Sequence, residues 1–167
     1  SKPKRTRGEP ISINSSLCVV PQSENMSKTS IMTFNRFLRK NKVEIDSTTP
    51  VLLQSQNGIF HFTLASKLNI QIHQIEISFA EIYDINTTVQ IMSGSNPKEC
   101  NQPLYFNEQL HKKTMYDSSA LGMNCCCDIP TGTSTRYLHF IFDTKDVNKK
   151  ELNIKQFFVT KIGEWIE

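Results

Sequence analysis

Apolar and polar residues alternate along several short runs of the chain, which is the two-residue period of β-strands with one buried face. In the run GIFHFTL, the side chains of Phe60, Phe62 and Leu64 fall on one side and that of His61 on the other. The same period predicts further strands at residues 11–20, 70–79, 87–92, 136–142 and 152–159.

One segment instead has a helical period. Ile31 and Phe34 begin a series of apolar residues spaced three or four apart, which predicts a short helix near residues 30–40. Thr29 or Ser30 is expected to cap its start, because a hydroxyl oxygen can accept a hydrogen bond from a backbone N–H of the first turn.

Two places break the pattern. Within residues 70–79 the parity of the apolar positions shifts by one at His73, which predicts a bulge or tight bend. Residues 97–135 have little period, so they are expected to form a long functional loop with short strands at 104–106 and 124–129.

Seven or eight short strands, one helix and no alternation of strands with helices predict a mainly β protein with two antiparallel sheets packed face to face. At 167 residues the chain has the size of one domain. We expect a single β-sandwich over residues 10–167, preceded by a flexible basic tail at residues 1–9.

Three segments carry a resemblance to a known fold family. GIFHFTL at 58–64, IHQIEISFAEIYDINTTVQIMSG at 72–94, and the pair 137–142 and 152–162 resemble strands of the galactose-binding-like or discoidin-type β-sandwich. This jelly roll is shared by coagulation-factor type C domains and DOC domains. The resemblance implies binding through loops at one end of the sandwich or through an exposed sheet face, with no catalytic apparatus.

The net charge bears on the kind of partner, and the cysteine content favours an intracellular protein. The net charge of +3 is too balanced for a protein built mainly to coat a polyanion. Five cysteines, three of them adjacent, make a poor disulfide framework and indicate reduced thiols in the nucleus or cytoplasm. Glycosylation sequons at Asn14, Asn25 and Asn86 keep open an extracellular glycan-binding domain as an alternative.

The sequence offers no catalytic constellation. No glycine-rich phosphate loop or nucleophile motif is present, so we expect neither an enzyme nor a cofactor. His61 and His139 are expected on outer strand faces, in surface or partner-contact roles. Three consecutive cysteines suit tetrahedral zinc badly, so no metal is predicted. The weak metal candidates are Cys100, His111, Cys125 and Cys127.

Recognition of a protein partner is therefore the leading hypothesis, because exposed aromatic residues and arginine dominate protein interfaces. The candidate contacts are Tyr105, Phe106, Tyr116, Arg136 and Trp165. A nucleic-acid-binding module is the alternative, with phosphate contacts from Lys4, Arg5, Arg7, Arg36, Arg39, Lys40 and Lys42.

Overall fold

The protein is described by a computed structural model. The model describes residues 9–21, 25–80, 87–109, 111–114, 121–129 and 133–162, and for 105–109, 111–114 and 121–125 it describes the backbone alone. Within these ranges no helix is long and apolar enough to span a membrane.

Two antiparallel sheets form the molecule, as the sequence predicts. The first has five strands in the order β2-β4-β10-β6-β7. Its strands are β2 (Leu17–Val20), β4 (Ile59–Gln71), β6 (Thr88–Gly94), β7 (Gln102–Gln109) and β10 (Ser134–Asp143).

The second sheet has six strands, with β1-β11-β5-β9-β8 in order and β3 also paired with β11. The long strand β11 pairs with β1 near one end and with β3 near the other. The strands of this second sheet are β1 (Pro10–Ser12), β3 (Val51–Gln54), β5 (Gln74–Phe79), β8 (His111–Thr114), β9 (Leu121–Asp128) and β11 (Glu151–Ile162).

The core between the sheets is built from the alternating apolar residues that the sequence marks, and phenylalanines fill its centre. Phe62 of β4 stacks on Phe140 of β10 with ring centroids 4.7 Å apart. Across the sandwich, Phe157 of β11 meets Phe140 edge-on at 5.8 Å, and Phe79 of β5 meets Phe142 at 5.0 Å. All of these rings are almost fully buried, so the aromatic contacts join the two sheets.

The single described α-helix, α1 (Lys28–Arg39), begins and ends at identifiable residues. Its cap is Ser27, whose Oγ accepts from the backbone N–H of Ser30 at 3.1 Å. The prediction that Thr29 or Ser30 caps the helix is therefore wrong. The helix ends before Asn41, which adopts a left-handed φ of 54° that an asparagine tolerates.

Helix α1 closes one opening of the sandwich through its buried face. The ring of Phe34 lies 5.6 Å from that of Phe62 in the five-stranded sheet and 5.3 Å from that of Phe157 in the six-stranded sheet. One helical residue thus contacts both layers of the core.

Of the sequence predictions about local structure, one is confirmed and two need correction. The parity shift near His73 marks a tight bend, one of the two alternatives predicted there, because only residues 72 and 73 connect β4 in one sheet to β5 in the other. The expected strand at residues 11–20 divides into β1, a 3-10 turn at Asn14–Ser16 and β2. The long loop predicted at 97–135 contains more strand than expected: the short strands predicted at 104–106 and 124–129 overlap β7 and β9, and β8 was not predicted.

Candidate functional site

The most distinctive irregularity of the five-stranded sheet lies in β4, close to the end of the sandwich where β10 begins. Ala65 pairs with Tyr137 and Ile70 with Thr135, so four residues of β4 face the single residue Arg136 of β10. We call residues 66–69 the β4 bulge. Bulges redirect side chains, and this one takes residues 66–69 out of the pairing between β4 and β10.

Leu68 projects from the β4 bulge into solvent. It is 74% exposed, the largest value among the large apolar side chains that the structure describes. Its backbone N–H is held by the Oγ of the buried Ser66 at 3.4 Å. Its neighbour Lys67 is exposed, and so is Arg136 on the opposing strand. The bulge therefore presents an exposed apolar side chain, with exposed cations at the preceding residue and on the opposing strand.

The turn between β6 and β7 lies against the same end of the sheet. A side chain at Gly94 would meet the carbonyl oxygen of Glu99 at 2.6 Å, so only glycine allows this close return of the chain. The hydroxyl of Thr135 donates to the carbonyl of Gly94 at 3.3 Å and ties the turn to the strand that carries Arg136. The surroundings of Arg136 are thereby held in place by backbone contacts.

A second candidate surface is a groove between α1 and β2, with a volume of about 330 Å³. Met32, one of the residues that line the groove, has a side chain that is 62% exposed. The amide oxygen of Asn35 accepts from the backbone N–H of Val19 at 2.8 Å, so α1 covers part of the free edge of β2. We call this feature the α1–β2 groove; its lining residues are Leu17, Cys18, Met32, Asn35, Arg36 and Arg39.

The α1–β2 groove adjoins the β4 bulge, because Leu17 in its lining pairs with Ser66. Arg36 and Arg39 occupy the last turn of α1, and Lys40 and Lys42 follow; all four side chains are exposed. Together the two features place cations around exposed apolar groups.

The structure describes only some of the predicted contact residues. Tyr105 and Phe106 lie in β7, an edge strand of the five-stranded sheet, where the sequence predicts a short strand at 104–106. Their side chains lie outside the described part. Tyr116, Trp165 and the tail residues Lys4, Arg5 and Arg7 lie outside it entirely. Leu68 and Met32 were not predicted as contacts.

The weak metal candidates are not brought together where the structure describes them. Cys100 lies in the turn between β6 and β7, and Cys127 lies in β9 of the other sheet. Burial raises the pKa of the Cys100 thiol. The side chains of His111 and Cys125 lie outside the described part of the structure. Across the described residues no group of three or more His, Cys, Asp or Glu side chains converges on a metal position.

The cysteine run has the predicted alternation where its side chains are described. Cys126 is exposed and Cys127 is buried, and neither forms a disulfide. The thiol of Cys126 lies 3.6 Å from a carboxylate oxygen of Glu76 on the neighbouring strand.

Two histidines meet on the outer face of the five-stranded sheet. The Nε2 of His139 lies 3.4 Å from the Nδ1 of His61, and the ring centroids are 5.4 Å apart. Burial, together with the nearby His61, holds the pKa of His139 below its usual value. The outward orientation predicted for both side chains fits their half-buried state, while Phe60, Phe62 and Leu64 point inward.

Two of the three sequons have an asparagine inside the fold. Asn14 is fully buried and Asn25 is 5% exposed, so neither side chain could carry a glycan in the folded state. Asn86 lies outside the described residues.

Two solved structures share this architecture. The CBM32-1 domain of a family 31 glycoside hydrolase from Clostridium perfringens is 13% identical, with a TM-score of 0.51 over 90% of this chain and 97% of that one. XRCC1, in its reduced form bound to the DNA pol beta catalytic domain, is 10% identical, with a TM-score of 0.53 over 93% of this chain and 98% of that one. No protein-family model and no curated protein matches the chain.

The chain therefore has the galactose-binding-like β-sandwich fold that its sequence resembles. At these levels of identity the likeness establishes the fold alone. The fold fits a domain that binds a partner.

Proposed function

We propose that this chain is a non-enzymatic domain of a larger nuclear or cytoplasmic protein, and that it binds a protein partner at the β4 bulge and Arg136. The observation that carries the proposal is Leu68, which is 74% exposed on the β4 bulge, next to Lys67 in the chain and across the strand pair from Arg136. A similar fold, that of XRCC1, is found bound to another protein, which supports a protein partner.

The energetics favour a contact at Leu68. Full burial of a leucine side chain stabilises a complex by roughly 1.5–3 kcal/mol relative to exposure. An apolar side chain bordered by cations also defines the partner's complementary surface, namely an apolar pocket with acidic residues at its rim. The partner is therefore expected to be a folded protein with an acidic margin around a small apolar pocket.

The test is recovery of the partner from extract with the domain and its variants as bait. Leu68→Ala should weaken binding at least about tenfold, because the lost burial is worth more than 1.4 kcal/mol. Arg136→Ala should weaken it too, with a larger effect at low salt. Val147→Ala is the matched control, since Val147 is an apolar residue 62% exposed in the turn after β10, away from the bulge.

A protein recovered equally by wild type, Leu68→Ala and Val147→Ala would contradict the proposal. Loss of recovery with the Val147 variant alone would place the contact at the opposite end of the sandwich and would contradict it equally.

Nucleic acid is the second candidate ligand, supported by the exposed Arg36, Arg39, Lys40 and Lys42 around the α1–β2 groove. None of the four forms an ion pair with another residue that the structure describes. Four phosphate contacts predict that log K falls with log salt at a slope of about −3. In a fluorescence-anisotropy titration, the double variant Arg36→Ala/Arg39→Ala should reduce that slope by about two, while Lys150→Ala, far from the groove, should not.

Intracellular residence is part of the proposal, supported by the free thiols and the buried sequon asparagines. The extracellular glycan-binding alternative predicts N-glycans on the protein made by a secreting host. An intact mass equal to that of the unmodified chain supports the intracellular proposal, and a glycan on Asn14 or Asn25 in folded protein contradicts it.

A further inference from the structure

The paired histidines His61 and His139 lie on the two central strands β4 and β10 of the five-stranded sheet. His61 is opposite Ile141, and His139 is opposite Thr63, so the two histidines are diagonal neighbours across one strand pair. Flanking residues of both strands are buried in the phenylalanine core. The backbone that carries each histidine is therefore held in place by the tightly packed phenylalanine core.

The spacing of the two ring nitrogens matches that of two ligands on one metal ion. Zinc binds imidazole nitrogen at about 2.0–2.1 Å with tetrahedral geometry, which puts neighbouring ligand atoms about 3.3–3.4 Å apart. The Nε2 of His139 and the Nδ1 of His61 are separated by 3.4 Å. The planes of the two imidazole rings are inclined at 68°, so the rings meet edge to face and are not stacked.

A third polar group, the side-chain amide of Asn25, lies beside the Nδ1 of His61. The side-chain amide of the buried Asn25 places its Nδ2 3.3 Å from the Nδ1 of His61. A neutral Nδ1 has one lone pair, so it cannot accept strong hydrogen bonds from both Asn25 and His139. A half-turn of the Asn25 amide would put its carbonyl oxygen there instead, and an amide oxygen is a metal ligand.

Asn25 is itself held in position by the backbone. Its carbonyl oxygen accepts from the N–H of Gln54 at 2.8 Å, which anchors this segment to β3. Two imidazoles and a side-chain amide are thus presented from three separate segments, each with a fixed backbone. Imidazole and oxygen ligands suit Zn²⁺ and the neighbouring divalent transition metals better than Ca²⁺ or Mg²⁺.

We propose that His61, His139 and Asn25 form a binding site for a divalent transition-metal ion of the Zn²⁺ type on the outer face of the five-stranded sheet. The Nδ1 of His61 and the Nε2 of His139 are the principal ligands, the amide oxygen of Asn25 is the third, and water completes the coordination.

The test follows the histidine ring nitrogens by NMR while Zn²⁺ is added to the folded domain. Stoichiometric Zn²⁺ should shift the Nδ1 signal of His61 and the Nε2 signal of His139 together. In a parallel titration calorimetry series, His61→Ala or His139→Ala should weaken Zn²⁺ binding at this site at least about tenfold. His73→Ala is the matched control, because His73 is half-buried in the connection between β4 and β5 and should leave the affinity unchanged.

The ring signals also separate this site from the free thiols, which bind zinc themselves. Zn²⁺ that perturbs the cysteine signals and leaves the His61 and His139 nitrogens unmoved would overturn the proposal, and the pair would then be a hydrogen-bonded contact only. Equal affinities of wild type and the two histidine variants would overturn it as well. His61→Gln and His139→Gln, which retain polar side chains, repeat the test should an alanine variant lose the wild-type amide fingerprint.

Discussion

At the scale of single residues, the buried Asn14 connects the start of the chain to its last strand. Its Nδ2 donates to the carbonyls of Lys42 and Phe157 at 2.8 and 2.9 Å, and its Oδ1 accepts from the N–H of Val159 at 3.0 Å. The side chain therefore replaces strand pairing at a point where β1 gives way to the 3-10 turn.

Replacing Asn14 should be costly for that reason. Asn14→Leu leaves three buried or part-buried backbone groups without their partner, and we expect the free energy of unfolding to fall by about 3 kcal/mol. Urea denaturation measures the change. Ser15→Ala, at the exposed neighbouring position, should change it by less than about 0.5 kcal/mol. Equal stabilities of the two variants would contradict this role of Asn14.

The pKa of His139 predicts how stability depends on pH. Because burial, with the nearby His61, lowers the pKa of His139 from its ordinary 6.5, the unfolded chain takes up a proton before the folded one. Stability should therefore fall as pH decreases below about 6.5 and should be fully present above it. With EDTA present, His139→Gln should show a smaller loss between about pH 7.5 and about pH 5.5 than wild type. A loss of the same size in both proteins would contradict the lowered pKa.

Residue-scale exposure was the hardest property to predict from sequence. Leu68 has the same parity as Ile70 and Ile72, so alternation alone places it with inward residues. The extra residues of the β4 bulge change its direction, and they are visible only against the register of β10. Ser27 was missed as the helix cap because Thr29 and Ser30 stand closer to the first apolar residue and offer the same hydroxyl chemistry.

At the scale of elements, helix α1 depends on one side chain that contacts both sheets. Phe34→Ala removes a fully buried ring that packs on Phe62 and Phe157, so we expect unfolding to become easier by about 3–5 kcal/mol. Met32→Ala, on the same helix and 62% exposed, should cost less than about 0.5 kcal/mol. Thermal and chemical denaturation measure both, and similar losses would show that α1 does not close the core as described.

Elements with strong periodicity were predictable, whereas those with weak periodicity were predicted only in part or not at all. Residues 58–64 and 136–142 alternate because one face of each strand meets the core, and they form β4 and β10. In the weakly alternating segment 97–135 the sequence predicts only short strands, at 104–106 and 124–129, which overlap β7 and β9, and it does not predict β8. The short β3 was also missed, because Val51–Gln54 is a brief apolar run whose strand form is decided by its partner β11.

At the scale of the whole molecule, the class of fold followed from local pattern, whereas its topology did not. Alternation determines which face of a strand is buried, and so it predicts a sandwich. Pairings such as β1 with β11 join residues more than a hundred positions apart, and no local signal specifies them. The shift at His73 shows the limit, since a change of sheet and a bulge leave the same trace in the sequence.

The binding surface also belongs to this scale, because strand register brings Leu17, Ser66 and Arg136 to one end of the sheet. The most direct test is site-specific photo-crosslinking in cells, with a photoreactive amino acid at Leu68 or at Val147. We expect a specific cross-linked protein from position 68 and none of that species from position 147. Cross-linking of the same protein from position 147, with none from position 68, would contradict it.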